Sequence, residues 1–187
     1  MPLTNCTDYA CSDELGEYQE NVCNKEFVGD FSAGVLFNCD SEIDDTSIED
    51  GTAVQAEIDA SRAKLITGAL FTIEDPAPQE AESQVPCRPK SVTGIQRTGN
   101  YNNPNVNSGN DDFHDVLFSG KKFGGLLLYE CTSNKNGNAQ SKWINSAISF
   151  TGGLSAKPKT IQAYAGKFNW DSMKNPKTVA TPAGIFD

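Results

Sequence analysis

A few short stretches and one histidine are the places where this sequence could carry bond-making chemistry. Ser119-Gly120-Lys121-Lys122 imitates the end of a phosphate-cradling loop, in which backbone amides hold the phosphates, a lysine reaches them and a hydroxyl binds magnesium. The glycine required five positions before Gly120 is Asp115, and Lys122 stands where the hydroxyl belongs, so the imitation fails. Gly29-Asp30-Phe31-Ser32-Ala33-Gly34 imitates the sharp turn that presents a nucleophilic serine but is one residue too long between its glycines. His114 is the sole imidazole, so a Ser-His-Asp or Cys-His mechanism would have to pass through it. It sits between Phe113 and Asp115 with no second signal and reads as a surface or internally satisfied histidine. The acidic stretch from Asp40 to Gly51 has the carboxylates a hard cation needs, but not at loop positions 1, 3, 5 and 12 with glycine at 6, so it reads as a solvated loop. Paired carboxylates for glycoside hydrolysis leave no legible spacing among 25 acids.

Six cysteines, Cys6, Cys11, Cys23, Cys39, Cys87 and Cys131, are spread through a chain of 187 residues, which is larger than a minimal disulfide scaffold. No Cys-x2-Cys pair occurs and His114 is remote, which argues against zinc. Buried thiols are the first reading, with a disulfide or two in the first 40 residues as the alternative. The Asn5-Cys6-Thr7 triplet is a glycosylation acceptor only if the chain is secreted.

The net charge of −10 opposes the neutralisation of phosphates, so tight nucleic-acid binding is not expected. No apolar run is long enough to cross a membrane as a helix. The charge is unevenly placed. Residues 1–86 carry 19 Asp and Glu against Lys25, Arg62 and Lys64, a net −16, while residues 87–187 carry 6 acids against 12 basic residues, a net +6. Parts of opposite sign suit head-to-tail contact between copies as well as contact within one.

The elements that would position any site are mostly strands. Residues 1–25 have no period and read as an extended N-terminal arm, residues 26–170 as one β-rich domain, and residues 171–187 as an extended tail against a neighbour or its own sheet. Glu26 to Phe37 alternates as a strand broken at Gly29 or Gly34. Thr52 as N-cap and Gln55 as the capping-box partner open an amphipathic helix with Val54, Ile58 and Leu65 on one stripe, stopped by Gly68. Ala69 to Ile73 is a strand. Glu74 to Lys90, with Pro76, Pro78, Pro86 and Pro89, reads as a long stiffened loop. Ser91 to Gln96 is a further strand, and the turn-rich Gly99 to Asn105 reads as a loop exposing Tyr101. Asn110 caps a short helix over Asp111 to Phe118. The apolar run Leu126 to Tyr129 predicts a strand covered on both faces, and Asn136-Gly137 a hairpin turn into Trp143–Thr151. The last strand, Thr160 to Trp170, places Ile161, Ala163 and Ala165 on one face and Thr160, Gln162 and Tyr164 on the other. The sum is a mainly β, α+β domain: an antiparallel β-sandwich or open barrel with one amphipathic helix and one short helix.

The order of acidic loop, amphipathic helix, Pro-rich loop and Asn-rich loop, then Asn110-Asp111-Asp112-Phe113-His114-Asp115-Val116-Leu117, Gly125-Leu126-Leu127-Leu128-Tyr129 and the closing Asn169-Trp170 to Thr181-Pro182-Ala183-Gly184-Ile185-Phe186, resembles virion structural proteins of tailed phages of Bacteroidetes-type hosts. The likeness runs from about Gly34 onward and is one of layout. It implies a non-enzymatic subunit without catalytic, cofactor or metal residues, made in the host cytoplasm and built into the virion. Its partners would be its own copies and other virion proteins. Within that class the chain looks most like a tail tube subunit, with a head decoration or connector protein as the alternative. A tube subunit completes sheets with its neighbours and faces passing DNA without holding it. The candidate self-assembly residues are Pro76, Pro78, Pro86, Pro89, Tyr101, Asn102, Asn103, Pro104, Trp170 and Phe186, since rigid backbone and aromatic rings cost little entropy to dock.

Two rival readings come from other classes. One is a secreted, disulfide-bearing β-sandwich that recognises sugar or protein through Trp143, Trp170 and Tyr101. The other is an acidic-site hydrolase with two raised-pKa carboxylates in a concave pocket.

Overall fold

The structure, a computed structural model, describes residues 31–81, 91–128, 140–155, 161–172 and 174–186. Its elements run in the order β1 (Phe31–Phe37), α1 (Gly51–Asp59), β2 (Ala63–Ile73), β3 (Ala77–Ala81), β4 (Ser91–Asn103), α2 (Asp111–Leu117), β5 (Lys122–Leu128), β6 (Gln140–Ser155), β7 (Ala163–Asp171) and β8 (Lys177–Ala180). All pairings are antiparallel. Six strands pair in a cycle, β1–β2–β4–β7–β6–β5 and back to β1, so the mainly β, α+β domain is built on a barrel. Closure depends on β2 meeting β4 over Leu70–Ile73.

Strand alternation sorts the apolar residues into two cores. Leu36, Ile66, Phe71, Tyr101, Leu127, Ile144, Phe150 and Phe168, drawn from all six cycle strands, fill the barrel, and Phe113 and Leu117 of α2 join them. Ala33, Val35 and Phe37 of β1, with Leu126 and Leu128 of β5, point the other way. There Ile43, Ile48, Val54 of α1, Val179 of β8 and Ile185 cover them. This double covering is why Leu126–Leu128 reads as an unbroken apolar run. Each large side chain so buried contributes about 1.5–3 kcal/mol.

The local readings change in several places. Asp50, not Thr52, caps α1: its carboxylate accepts from the Thr52 amide at 2.9 Å, while Gln55 turns forward to donate to Asp59. The helix ends at Asp59 because Ala63–Ile66 is claimed by pairing with Phe37–Gly34 of β1, so Leu65 is a strand residue. Gly68, with φ of 68°, is a left-handed kink inside β2 and not a helix stop. In β1 the irregularity falls between Phe31 and Ala33. Gly34 stays in register beneath the Phe71 ring, where a Cβ would lie 3.0 Å from the ring edge. Gly29 lies outside the described residues, as do the arm 1–25, Tyr129, the Asn136-Gly137 turn and Thr160.

The supposed loop Gly99–Asn105 is largely strand. Residues Gly99–Asn102 pair with β2 on one side and Gln96–Asn103 with β7 on the other. Pairing on both edges outweighs the turn preference of Gly and Asn, because propensity in a sheet is mostly a measure of neighbours. Likewise Ala77–Ala81, inside the expected Pro-rich loop, is a strand. β7 begins at Ala163, after an exposed Ile161, and buries both Ala163 and Tyr164. The tail lies against its own sheet. Lys177–Ala180 pairs with Gln140–Trp143, and Ser141 and Thr181 share a buried hydroxyl pair at 2.6 Å.

Candidate functional site

Three features of the described residues could serve a function: an arm, a cleft and a buried polar network. The arm follows from register. β3 continues the line of β2 along one edge of β4, with the Glu74 amide donating to the Thr98 carbonyl at 2.8 Å across the break. β7 leaves the opposite edge of β4 at Gln96. Residues Ala77–Ala81 and Ser91–Ile95 therefore run past the barrel as a two-stranded ribbon, and β4 is the sole pairing partner of β3 among the described residues.

The expected assembly residues divide between surface and interior. Pro76 and Pro78 are exposed on the arm, Asn102 is exposed in β4, and Pro104 and Phe186 are half-buried. Phe186 packs against the outer core. Pro86 and Pro89 lie outside the described residues. Tyr101, expected in solvent, is 1% exposed, and Asn103 and Trp170 are also buried. These three side chains are interior because β4 and β7 belong to the closed cycle, whose inward positions have no access to a neighbour.

The cleft, with a volume of 180 Å³, lies where the ladder along one edge of β6 is interrupted. β8 pairs with Gln140–Trp143 and β7 with Ser149–Ser155 on the edge opposite β5, and among the described residues no strand lies beside the stretch between. β6 is also bulged there: Asn145, Ser146 and Ala147 stand opposite Gly124 alone. Trp143 and Trp170 line the cleft with Asp45, Asn145, Ser146, Ser172 and the segment Lys174–Lys177. Asp45 is fixed in place. Its Oδ1 accepts from the Trp143 indole at 2.8 Å and the Asn145 amide at 2.9 Å, and its carbonyl accepts from Lys177 Nζ at 2.9 Å. The structure thus brings together two of the three aromatic residues expected in a sugar-binding module and leaves Tyr101 out. No sequence signal points to this assembly, since Asp45 and Asn145 are 100 positions apart.

The network centres on His114, which is 1% exposed. Its Nδ1 donates to the Asn110 carbonyl at 2.8 Å, leaving Nε2 to accept from the Tyr101 hydroxyl at 2.9 Å, and Asn103 donates to that hydroxyl at 3.1 Å. The ring stacks on Tyr164 at 3.6 Å. Burial lowers the His114 pKa to about 4, against the Asn110 bond and the charges of Asp111 and Asp115. Tyr164 donates to Asp111, and burial, that bond and the same charges push its hydroxyl up to about 12. His114 is therefore an internally satisfied group that ties α2 to β4.

In the acidic loop, Asp44 turns its carboxylate onto the amides and hydroxyls of Thr46 and Ser47, which hold it well below the usual carboxylate range. Among the described residues no three His, Cys, Asp or Glu converge as a metal set. Glu57 is a buried carboxylate. Burial opposes its charge, but bonds from Arg62 at 2.7 and 3.1 Å and from Ser41 hold its pKa below the usual value. Cys39 is disulfide-bonded, so the buried-thiol reading fails for it. Its Sγ, 3.8 Å from the Lys122 carbonyl, has no proton to donate and makes only a packing contact. The other five cysteines lie outside the described residues. No described helix is long and apolar enough to cross a membrane. In comparisons with protein families, curated proteins and solved structures, nothing matches the chain.

Proposed function

We propose that this chain is a non-enzymatic structural subunit that assembles with its own copies through β-edges, loops and terminal segments. The observation that carries the reading is the two-stranded arm beyond the barrel. With β4 as its one partner among the described residues, β3 presents there an edge of amides and carbonyls, the template for pairing with another chain. The opposite charges of the two portions favour contact between unlike ends of neighbouring copies. With the resemblance to phage virion proteins, the reading becomes a subunit of a tailed-phage virion, in first place of its tail tube. The contact residues on this reading are the exposed Pro76, Pro78 and Asn102.

The test is to replace residues 77–95 by a two-residue Asn-Gly turn, which leaves the β2–β4 pairing at Ile73–Gly99 in place. Light scattering and electron microscopy should show rings, tubes or a lattice for the full chain and folded monomers for the variant. The excised arm takes Cys87 with it, so the Cys39 bond is checked by mass. A full chain that stays monomeric at high concentration overturns the proposal.

One observation favours a second reading, a secreted binding module. The Cys39 disulfide belongs to an oxidising compartment, whereas cytoplasmic synthesis and assembly keep thiols reduced. Thiol titration of denatured protein separates the two: six reactive thiols exclude the secreted module.

A further inference from the structure

We infer that the cleft between β7 and β8 is a binding site for an acidic monosaccharide. The inference is independent of assembly, because every residue it uses belongs to one copy. Its first support is shape. The break in the β6 ladder and the bulge at Asn145–Ala147 create a concave place in an otherwise continuous sheet. The 180 Å³ of the cleft falls below the roughly 300–1,000 Å³ of drug-sized pockets, which suits one sugar ring and not a chain.

The second support is the set of groups without partners. Asp45 uses only Oδ1, so its Oδ2 has no hydrogen bond among the described residues. The side chains of Ser146, Asn175 and Lys174 make none there either, although all line the cleft. A carboxylate oxygen accepts, an ammonium donates, and an amide and a hydroxyl do both. That mixture matches hydroxyls, which also do both, and leaves an apolar ligand with nothing to satisfy. Trp143 and Trp170, at 1% and 3% exposure, line the cleft with only a sliver of their surface, so a bound ring is held by the polar groups and not stacked on an indole.

The third support is charge. Among the lining residues, the carboxylate of Asp45 and the two ammonium groups of Lys174 and Lys177 leave a single positive excess, which a monoanion neutralises. A phosphate dianion would overshoot and meet Asp45. The anchoring of Asp45 by Trp143, Asn145 and Lys177 means that little side-chain freedom is lost on binding.

The experiment is a titration of the full chain with glucuronate, with glucose as the uncharged control, followed by NMR of the indole and amide protons. Glucuronate should shift the Trp143, Trp170 and Asn145 signals with a dissociation constant of about 1 mM, and glucose should bind about tenfold more weakly. Lys174→Ala should abolish the preference for the acid, and Ser146→Ala should weaken both sugars. Both residues are outside the apolar cores, and unchanged spectra elsewhere certify each fold. Equal binding of the two sugars, shifts confined to another surface, or no shift at about 50 mM would each overturn the inference. Assembly is read separately by light scattering, so a failure here is distinct from a failure of the subunit reading.

Discussion

Acid should destabilise this protein through one side chain, His114. Its ring is 1% exposed, and its two nitrogens are engaged as a neutral imidazole, Nδ1 toward the Asn110 carbonyl and Nε2 toward the Tyr101 hydroxyl. A proton on Nε2 would place a charge among Tyr101, Phe113, Phe118 and Tyr164, with Asp111 and Asp115 as partial compensation. The folded pKa is about 4 against an ordinary value of 6.5. The unfolded chain therefore takes up a proton that the folded chain refuses. The contribution of His114 to stability is complete above pH 6.5, declines as the pH falls, and is gone at about pH 4. Over that window the loss is about 3 kcal/mol. Carboxylates titrate nearby, so the measurement is a difference: urea unfolding at pH 7 and pH 4 for the wild type, His114→Gln and His114→Phe. Both variants start less stable at pH 7 because hydrogen bonds are missing. Their further loss on acidification should be smaller than that of the wild type by about 3 kcal/mol. His114 is the sole histidine, so its NMR titration is unambiguous. A native pKa at or above about 6, or equal acid losses in all three proteins, would refute the reasoning.

Three further outcomes are expected. Asp50→Ala should cost about 1 kcal/mol while Thr52→Ala is nearly neutral, because the cap bond is made by Asp50; the reverse order in thermal melts would restore the Thr52 capping box. Glu57→Gln should cost about 2 kcal/mol by weakening two charge-assisted bonds from Arg62, and a loss indistinguishable from zero in urea unfolding would show the pair to be idle. Gly99→Ala would put a Cβ 2.1 Å from the Phe168 ring and 2.4 Å from the Thr72 carbonyl, where the chain cannot yield, and should cost about 3 kcal/mol or prevent folding. Gly153→Ala meets nothing within 4 Å and should leave the melting temperature almost unchanged, so similar behaviour of the two glycines would contradict the packing described.

Much of the fold was legible because strand alternation and short helical periods are local. The run Leu126–Leu128, the alternation of Ile144, Ile148 and Phe150, and the acids opening α2 all declared their elements. Local signals misled where pairing overruled them. Gly99-Asn100-Tyr101-Asn102-Asn103 has the composition of a turn and lies in a strand held on both edges, and the expected exposure of Tyr101 failed with it. The helix expected to reach Gly68 stops at Asp59 because β1 offers Ala63–Ile66 a ladder.

By itself, then, the chain determined its class: a mainly β domain with two small helices, an acidic first part and a weakly basic second part, since composition and period belong to the polymer whatever its partners. Only the tertiary structure decided that the sheet closes, that β3 and half of β4 stand beyond it as an arm, that His114 is sealed between Tyr101 and Tyr164, and that Asp45 meets Asn145 in a cleft. Such contacts join residues tens of positions apart, and which of the possible long-range pairings forms is settled by burial of the whole set at once, a quantity that no short window of sequence contains.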